Sequence, residues 1–309
     1  MTPVPEISSV LAALSDRLAD SIDKAGHALV AINARRRIPS SGVIWQPGIV
    51  VTADHTVRRD EEIGVTLASG QTVTATVLGR DPSTDLAVLN VMEESPATID
   101  LGDPTQLRVG HLALAVGRSA ERGLGASLGM VSALGGPWRT WNGGAIDQLI
   151  RLDLNLYPHL TGGAMVSPEG QILGIVTAGP RDIVLVIPKR TIDRVVQQLT
   201  QRGRISRGYL GVGMQPVRLP NSLIQTLNLS HPGGVIIVTL EPEGPAEQSG
   251  VLIGDILVAL ADRPITDTSD VQAMLDSDRI GQPLIARMIR GGTLTEVTLI
   301  VGERPCREG

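Results

Sequence analysis

The sequence predicts a mainly β protein: a barrel or sandwich of short strands, opened by one amphipathic helix and followed through a helical connector by a smaller α+β domain. Three observations predict it. Short Val-, Leu- and Ile-rich runs alternate with a period of two along most of the chain. The 35 Gly and 20 Pro fall between those runs as turns. Phe is absent and aromatics make up 2% of the chain, so the core must be built from Val, Leu, Ile and Ala. At 309 residues the length suits about two domains, and 42% apolar with 19% charged residues suits packed cores and not disorder.

Residues 5–23 read as the N-terminal helix, within a segment spanning 1–26. Ile7, Val10, Leu11, Leu14, Leu18 and Ile22 share one face, while Asp16, Arg17, Asp20 and Asp23 lie elsewhere. The stripe is expected to pack on the body or on a neighbouring subunit; its polar face is not basic, which argues against a membrane surface. From residue 27 the period becomes two. "HALVAIN", "SGVIW", "GIVVTA", "IGVTLA", "QTVTATVLG", "TDLAVLNV", "HLALAVG", "GMVSAL", "DQLIRLDLNL", "AMVS", "QILGIVT" and "DIVLVIP" are bounded by Gly, Pro, Ser or Asp. They make a first domain over 27–189, a double β-barrel or a sandwich. "RTIDRVVQQLTQRG" (190–203) reads as a helix with Ile192, Val195, Val196 and Leu199 on one side and Gly203 as its C-cap, the connector over 190–206. The second domain, 207–303, mixes strands ("GVIIVTL", "DILVAL", "PLIARMIR", "TEVTLIV") with two short helices near "PAEQSG" and "TSDVQAMLDS"; 304–309 is a tail.

Composition excludes several classes. The net charge is −5 and no basic stretch is interleaved with aromatics, so nucleic acid is not an expected partner. The densest basic run, "NARRR" at 33–37, reads as a solvated strand end. Cys306 is the one cysteine, so no disulfide forms within the chain. His27, His111 and His231 are scattered without ligand spacing; neither metal nor cofactor is expected. No secretory leader is recognisable and no apolar run is long enough to span a bilayer, so the expectation is a cytoplasmic chain without a membrane span.

The chemistry concentrates in three places. His55 follows the strand in "VVTADHTV". Asp85 stands at the mouth of the strand in "GRDPSTDLAVLNV". Thr161 sits before the Gly-Gly turn in "PHLTGGAMVSPEGQILGIVTAG". The order His, Asp, hydroxyl on a β scaffold fits nucleophilic catalysis. A hydroxyl needs a base to take its proton, and imidazole suits that near neutral pH. A carboxylate fixes the imidazole tautomer, and backbone N–H groups beside the nucleophile stabilise an oxyanion. His159, two residues before Thr161, is an alternative base, but it reads more simply as a surface-loop histidine.

"SSGVIW", "VVTADHTV", "GRDPSTDLAVLNV", "LALAVG", "GMVSAL", "TGGAMVSPEGQILGIVTA" and "VIPKRTI" resemble, segment by segment, the protease domain of HtrA/Deg-type serine proteases. "RGYLGV" and "GPAEQSGVLIGDILVALADRPITDTSDV" resemble the PDZ domain that follows it, and the resemblance covers about residues 27–302. It implies a chymotrypsin-like double β-barrel followed by an α+β PDZ domain. His55 and Asp85 match the base and the orienting carboxylate. The nucleophile does not match, for the family's Gly-Asn-Ser-Gly-Gly is here His159-Leu160-Thr161-Gly162-Gly163. Thr161 adds a methyl and a stiff χ1 at the attacking position. His159, Leu160 and Thr161 occupy the oxyanion-hole segment, and His159 restricts a backbone position where the family has Gly.

In the PDZ domain the resemblance assigns Tyr209, Leu210, Gly211 and Val212 to the loop that takes a peptide's C-terminal carboxylate. Val271, Met274 and Leu275 are assigned to the side-chain pocket, or they are core contacts only. Two readings follow. One is a catalytically impaired protein that binds polypeptides or C-terminal peptides. The other is an active endopeptidase using Thr161 with His55 and Asp85. Family members are often trimers, so the resemblance also raises a homo-oligomer, to which the aromatic-free N-terminal segment adds no signal of its own.

Overall fold

The computed structural model describes residues 7–35, 39–91, 99–140, 143–205, 208–275 and 279–303. Residues 5 and 6 of the expected first helix, Arg36 and Arg37 of the basic run, residues 206 and 207 at the domain junction, Asp276 and Ser277, and the tail with Cys306 lie outside the described residues. The chain divides into two compact units, Met1–Ile205 and Ser206–Gly309.

The first unit is opened by helix α1 (Ile7–Gly26). The C-terminal half of α1 packs on the body. Leu18 and Ile22 meet the core, the Ser21 hydroxyl donates to the Pro168 carbonyl at 2.6 Å, and Lys24 pairs with Asp100 at 2.6 Å. Val10, Leu11 and Leu14, on the same stripe, remain exposed.

Strands β1 (Leu29–Asn33), β2 (Ser40–Gln46), β3 (Ile49–Ala53), β4 (Ile63–Thr66), β5 (Thr72–Asp81) and β6 (Leu86–Val91) close into a barrel in the order β1-β2-β3-β6-β5-β4. Next come β7 (Leu112–Ser119), β8 (Gly123–Gly135), the two-residue hairpin strands β9 (Trp138–Arg139) and β10 (Ala145–Ile146), β11 (Leu149–Asp153), β12 (Ala164–Val166), β13 (Ile172–Ala178) and β14 (Val184–Pro188). Six of them close a second barrel, β11-β14-β13-β12-β7-β8. Alternating aliphatic runs fill both interiors: Val30, Ile32, Ile63 and Leu89 in the first, Ile150, Leu152, Leu160 and Met165 in the second. Outward-facing residues of both barrels, among them Val51, Leu86, Val116 and Ile175, build a shared seam. Helix α2 (Lys189–Arg202) lays Ile192, Val195, Val196 and Leu199 on that seam and ends at Gly203 in the left-handed conformation, so it belongs to this unit.

The second unit holds β15 (Gly208–Tyr209), β16 (Val212–Arg218), helix α3 (Asn221–Thr226), β17 (Gly233–Leu240), helix α4 (Pro245–Gln248), β18 (Ile256–Leu260), β19 (Arg263–Pro264), helix α5 (Thr268–Ala273), β20 (Pro283–Arg290), β21 (Thr293–Ile300) and β22 (Gly302–Glu303). The main sheet runs β16-β17-β18-β20-β21, with β16 at one edge. Its core gathers Leu210, Val235, Leu257, Val271, Met274, Ala286 and Met288. Helix α3 is an addition to the two short helices expected. At six residues it is too short to show a period, and it is placed by Leu223 and Ile224 packing against Leu219 and Val258. The expected fold class, a double β-barrel, a PDZ-type α+β domain and an N-terminal helix, is the one observed.

Candidate functional site

Pairing between β3 and β6 brings His55 and Asp85 together. Ala53, the last residue of β3, lies opposite Leu86, the first of β6, so His55 and Asp85 emerge side by side. His55 sits in a single 3-10 turn, Asp54–Thr56, whose Asp54 N–H donates to the Asp85 carbonyl at 3.1 Å. Asp85 takes the left-handed conformation (φ 58°), which its short polar side chain tolerates better than most. Its carboxylate lies 2.9 and 3.0 Å from His55 Nδ1 and accepts the His55 backbone N–H at 3.0 Å. The second barrel adds another donor, the Thr177 hydroxyl on Asp85 Oδ2. Three donors on one carboxylate fix its plane, and it in turn fixes the imidazole.

The His55 turn is braced from behind. The Arg80 guanidinium bonds Asp54 Oδ1 at 3.0 Å, the Val57 carbonyl at 2.8 Å and Asp60 Oδ1 at 2.7 Å. Burial pushes the Asp54 carboxyl above the usual range, while Arg80 pulls it back down. Asp81 organises the turn before Asp85 by accepting from the Ser83 N–H at 3.2 Å and the Thr84 hydroxyl at 2.7 Å.

The segment carrying Thr161 enters from the second barrel. Pro158–Leu160 form a 3-10 turn and Thr161 follows in extended conformation, 6% exposed. Gly162 (φ 80°) is pressed onto β3, where a Cβ would collide with the Thr52 hydroxyl and the Ser41 carbonyl; no other residue type fits. The Thr161 turn therefore lies against the end of the strand that delivers His55. Ser41 clamps the same turn: its N–H donates to the Thr161 carbonyl at 3.0 Å and its hydroxyl to the His159 carbonyl at 2.5 Å. Among the described residues, no hydrogen bond joins His55 to Thr161, and no backbone bond uses the N–H of His159 or Thr161. Leu160 is fully buried in the second barrel's core. The His159 ring stacks on Tyr157 with centroids 6.1 Å apart and covers Gly125.

In the second unit, Gly211 (φ 72°) turns the chain into β16. The Leu210 carbonyl accepts from Ala246 at 2.9 Å and the Gly211 carbonyl from Glu241 at 2.8 Å. Both oxygens are thereby engaged by neighbouring chain, while no backbone bond takes the N–H of Leu210 or Gly211 among the described residues. A run of N–H groups with their carbonyls turned away is an anion nest. Tyr209 is half-buried on β15, paired with Gly302. Val271 and Met274 are buried among core residues, and Val212 and Leu275 pack against them partly exposed.

Reading the sequence did not single out Thr177, Ser41 or Arg80. Thr177 ends an apolar strand, Ser41 is one of two adjacent serines and Arg80 stands among charged neighbours; none carries a local signal for a contact made far along the chain.

Residues 40–175 match a trypsin-like peptidase domain and residues 208–301 a PDZ domain. The chain is 29% identical over 277 residues to a Halomonas elongata protein named "Probable periplasmic serine endoprotease DegP-like", covering 88% of this chain and 57% of that one. It is 30% identical over 278 residues to a Brucella suis protein of the same name, covering 87% and 53%. The chain thus spans little more than half the length of these curated relatives. Two solved structures are similar, each over 94% of this chain and 99% of the other. One is the HtrA-type protease AlgW with a tripeptide (TM-score 0.75, 29% identity), the other AlgW with a decapeptide (TM-score 0.76, 26% identity). The expectation of a cytoplasmic chain is overturned: these curated relatives are named periplasmic, which points to a periplasmic location instead. No helix among the described residues is long and apolar enough to cross a membrane. The double barrel, the PDZ domain behind it in the chain and these relatives make this protein a member of the HtrA/DegP-type trypsin-like serine proteases with a C-terminal PDZ domain.

Proposed function

We propose that this chain is a catalytically impaired HtrA-like protein that works by capturing polypeptides through its PDZ domain. The observation that carries the impairment is the Thr161 turn. Thr161 stands where the family has serine, and its β-branch adds a methyl and a stiff χ1 at the attacking position. A misplacement of about 1 Å at the reacting atoms costs about 100-fold. His159 replaces a flexible Gly in the oxyanion segment, and its ring is committed to Tyr157 and Gly125. Loss of one oxyanion donor costs about 3–4 kcal/mol.

The alternative, an endopeptidase that attacks with Thr161, is favoured by the intact His55–Asp85 pair, its Thr177 donor and the unspent N–H groups of His159 and Thr161. Fluorophosphonate labelling and casein cleavage on the purified chain separate the two. The impaired reading expects neither from the native protein, weak labelling of Thr161→Ser, and strong labelling of Thr161→Ser with His159→Gly, because hydroxyl and donors act as a unit. Casein cleavage by the native chain that disappears in both Thr161→Ala and His55→Ala establishes the active reading instead.

Peptide capture is supported by the N–H nest at Leu210–Gly211 and by relatives solved with a tripeptide and a decapeptide. A hydrophobic C-terminal peptide binds with micromolar-scale affinity in this reading, and amidating its carboxylate abolishes binding. The relatives' names support a periplasmic location. The uncovered Val10, Leu11 and Leu14 on α1 support self-association, which sedimentation of the purified chain measures.

A further inference from the structure

The open edge of β16 carries a proline, Pro216, and its orientation sets how much of a bound peptide the edge can read. The Glu241 N–H bonds the Gly211 carbonyl and the Leu219 N–H bonds the Pro232 carbonyl, so the odd-numbered residues of this segment face β17. The far side of β17 agrees. Ile237, the partner of Met214, spends its N–H on Asp255 and its carbonyl on Gly254, away from β16. The extra residue at the irregularity near Gly213 lies on β17, so the alternation along β16 is unbroken. Val212, Met214, Pro216 and Arg218 therefore present their backbone groups to the open edge. Pro216 costs the sheet no ladder bond, which is why a strand tolerates it.

The same geometry limits what a peptide gains by adding there as a strand. With its carboxylate at Leu210–Val212, the last peptide residue pairs with Val212 and the third from the end exchanges both backbone bonds with Met214. The fifth from the end falls opposite Pro216. Its carbonyl finds no donor, and the pyrrolidine ring occupies the space through which the strand would approach. We infer that Pro216 is a length-determining residue: the edge reads about the last four residues of a C-terminal peptide by backbone pairing and releases the chain beyond them. The ligand class is thus any polypeptide with a free, extended, apolar carboxyl end, whatever precedes it. This inference rests on the peptide-binding reading of the PDZ domain.

Titration of the full chain with acetyl-Val-Val-Val and acetyl-Ala-Ala-Ala-Ala-Val-Val-Val, each as free acid and as amide, tests it. The native protein is expected to bind the two acids within about twofold. Pro216→Ala, which restores one donor and removes the ring, is expected to tighten the seven-residue acid about three- to tenfold and to leave the three-residue acid unchanged. The unchanged tripeptide also verifies that the variant is folded. A native gain of fivefold or more on lengthening, or the same length ratio in Pro216→Ala as in the native chain, overturns the length rule while leaving carboxylate capture standing. Equal binding of acid and amide, or no binding by any of the four, overturns the peptide reading and this inference with it.

Discussion

At Leu160 a site residue is also a core residue. The backbone of the 159–161 turn is offered to the site, while the Leu160 side chain is buried among Val131, Ile150, Leu152 and Met165. Restoring the family's Asn here places an unpartnered amide in an apolar barrel. Leu160→Asn is expected to destabilise the first unit by about 3–5 kcal/mol in urea denaturation, whereas Leu160→Met costs less than about 1.5 kcal/mol. Variants built to test hydrolysis should therefore change His159 and Thr161 and keep Leu160. Thr177 gives the matching prediction on the carboxylate side. Thr177→Val keeps the shape but removes a donor from Asp85, and in the Thr161→Ser, His159→Gly background it is expected to lower the fluorophosphonate labelling rate about tenfold without moving the denaturation midpoint by more than about 1 kcal/mol.

Between elements, packing decides what each periodic stripe is for. Helix α2 reaches its seam only because β5 has no side chain at Gly79, where the register with β6 shifts. A Cβ there would lie 2.7 Å from Leu199 Cδ2 and 2.8 Å from the Gly203 carbonyl, and the carbonyl cannot yield cheaply. Gly79→Ala is expected to cost about 1–3 kcal/mol, read as a lower melting temperature of the first unit. Arg80, the next residue, holds the His55 turn through Asp54 and Asp60. Lys supplies a charge but not a fork, so Arg80→Lys is expected to loosen that turn. The His55 Cε1–H resonance should broaden or shift relative to the native chain, and an identical spectrum would count against Arg80 as a positioning residue. Helix α1 shows the limit of a stripe read from sequence: one apolar face covers the body with Leu18 and Ile22 but leaves Val10, Leu11 and Leu14 in solvent.

Across the whole molecule the two units have separate cores, and their responses to pH should separate too. In the second unit the Arg290 guanidinium, on both oxygens of the buried Asp255 at 2.9 and 2.7 Å, holds that carboxyl below the usual range, aided by the Leu252 N–H. A depressed carboxyl stabilises the fold wherever the unfolded chain is also ionised, above about pH 4, and that stability is lost as the pH falls through the folded value. Scanning calorimetry is expected to show two transitions. The one assigned to the second unit falls as the pH is lowered from about 5 to 3, and Asp255→Asn flattens that fall while lowering the same transition at pH 7. Gly79→Ala moves only the other transition. A single transition moved alike by both substitutions would show that the units unfold together.

The sequence by itself determined the longer strands of both barrels, the apolar face of each and the order of the two domains, and it singled out His55, Asp85 and Thr161 as candidate groups. Those properties are written in short-range alternation and in residue chemistry. The short strands β9, β10, β15, β19 and β22 and the edge strand β16 were not legible in it. Tertiary structure alone decided the neighbours. A period of two says which face of a strand is apolar but not which strand pairs beside it, and the site depends on β3 and β6 meeting with Ala53 opposite Leu86. It also decided that Thr177, at the end of β13 in the other barrel, lands on Asp85, and that Leu160 turns inward. On β16 it decided that the missing N–H of Pro216 faces the open edge, because which residues face a partner is fixed only when the partner is known.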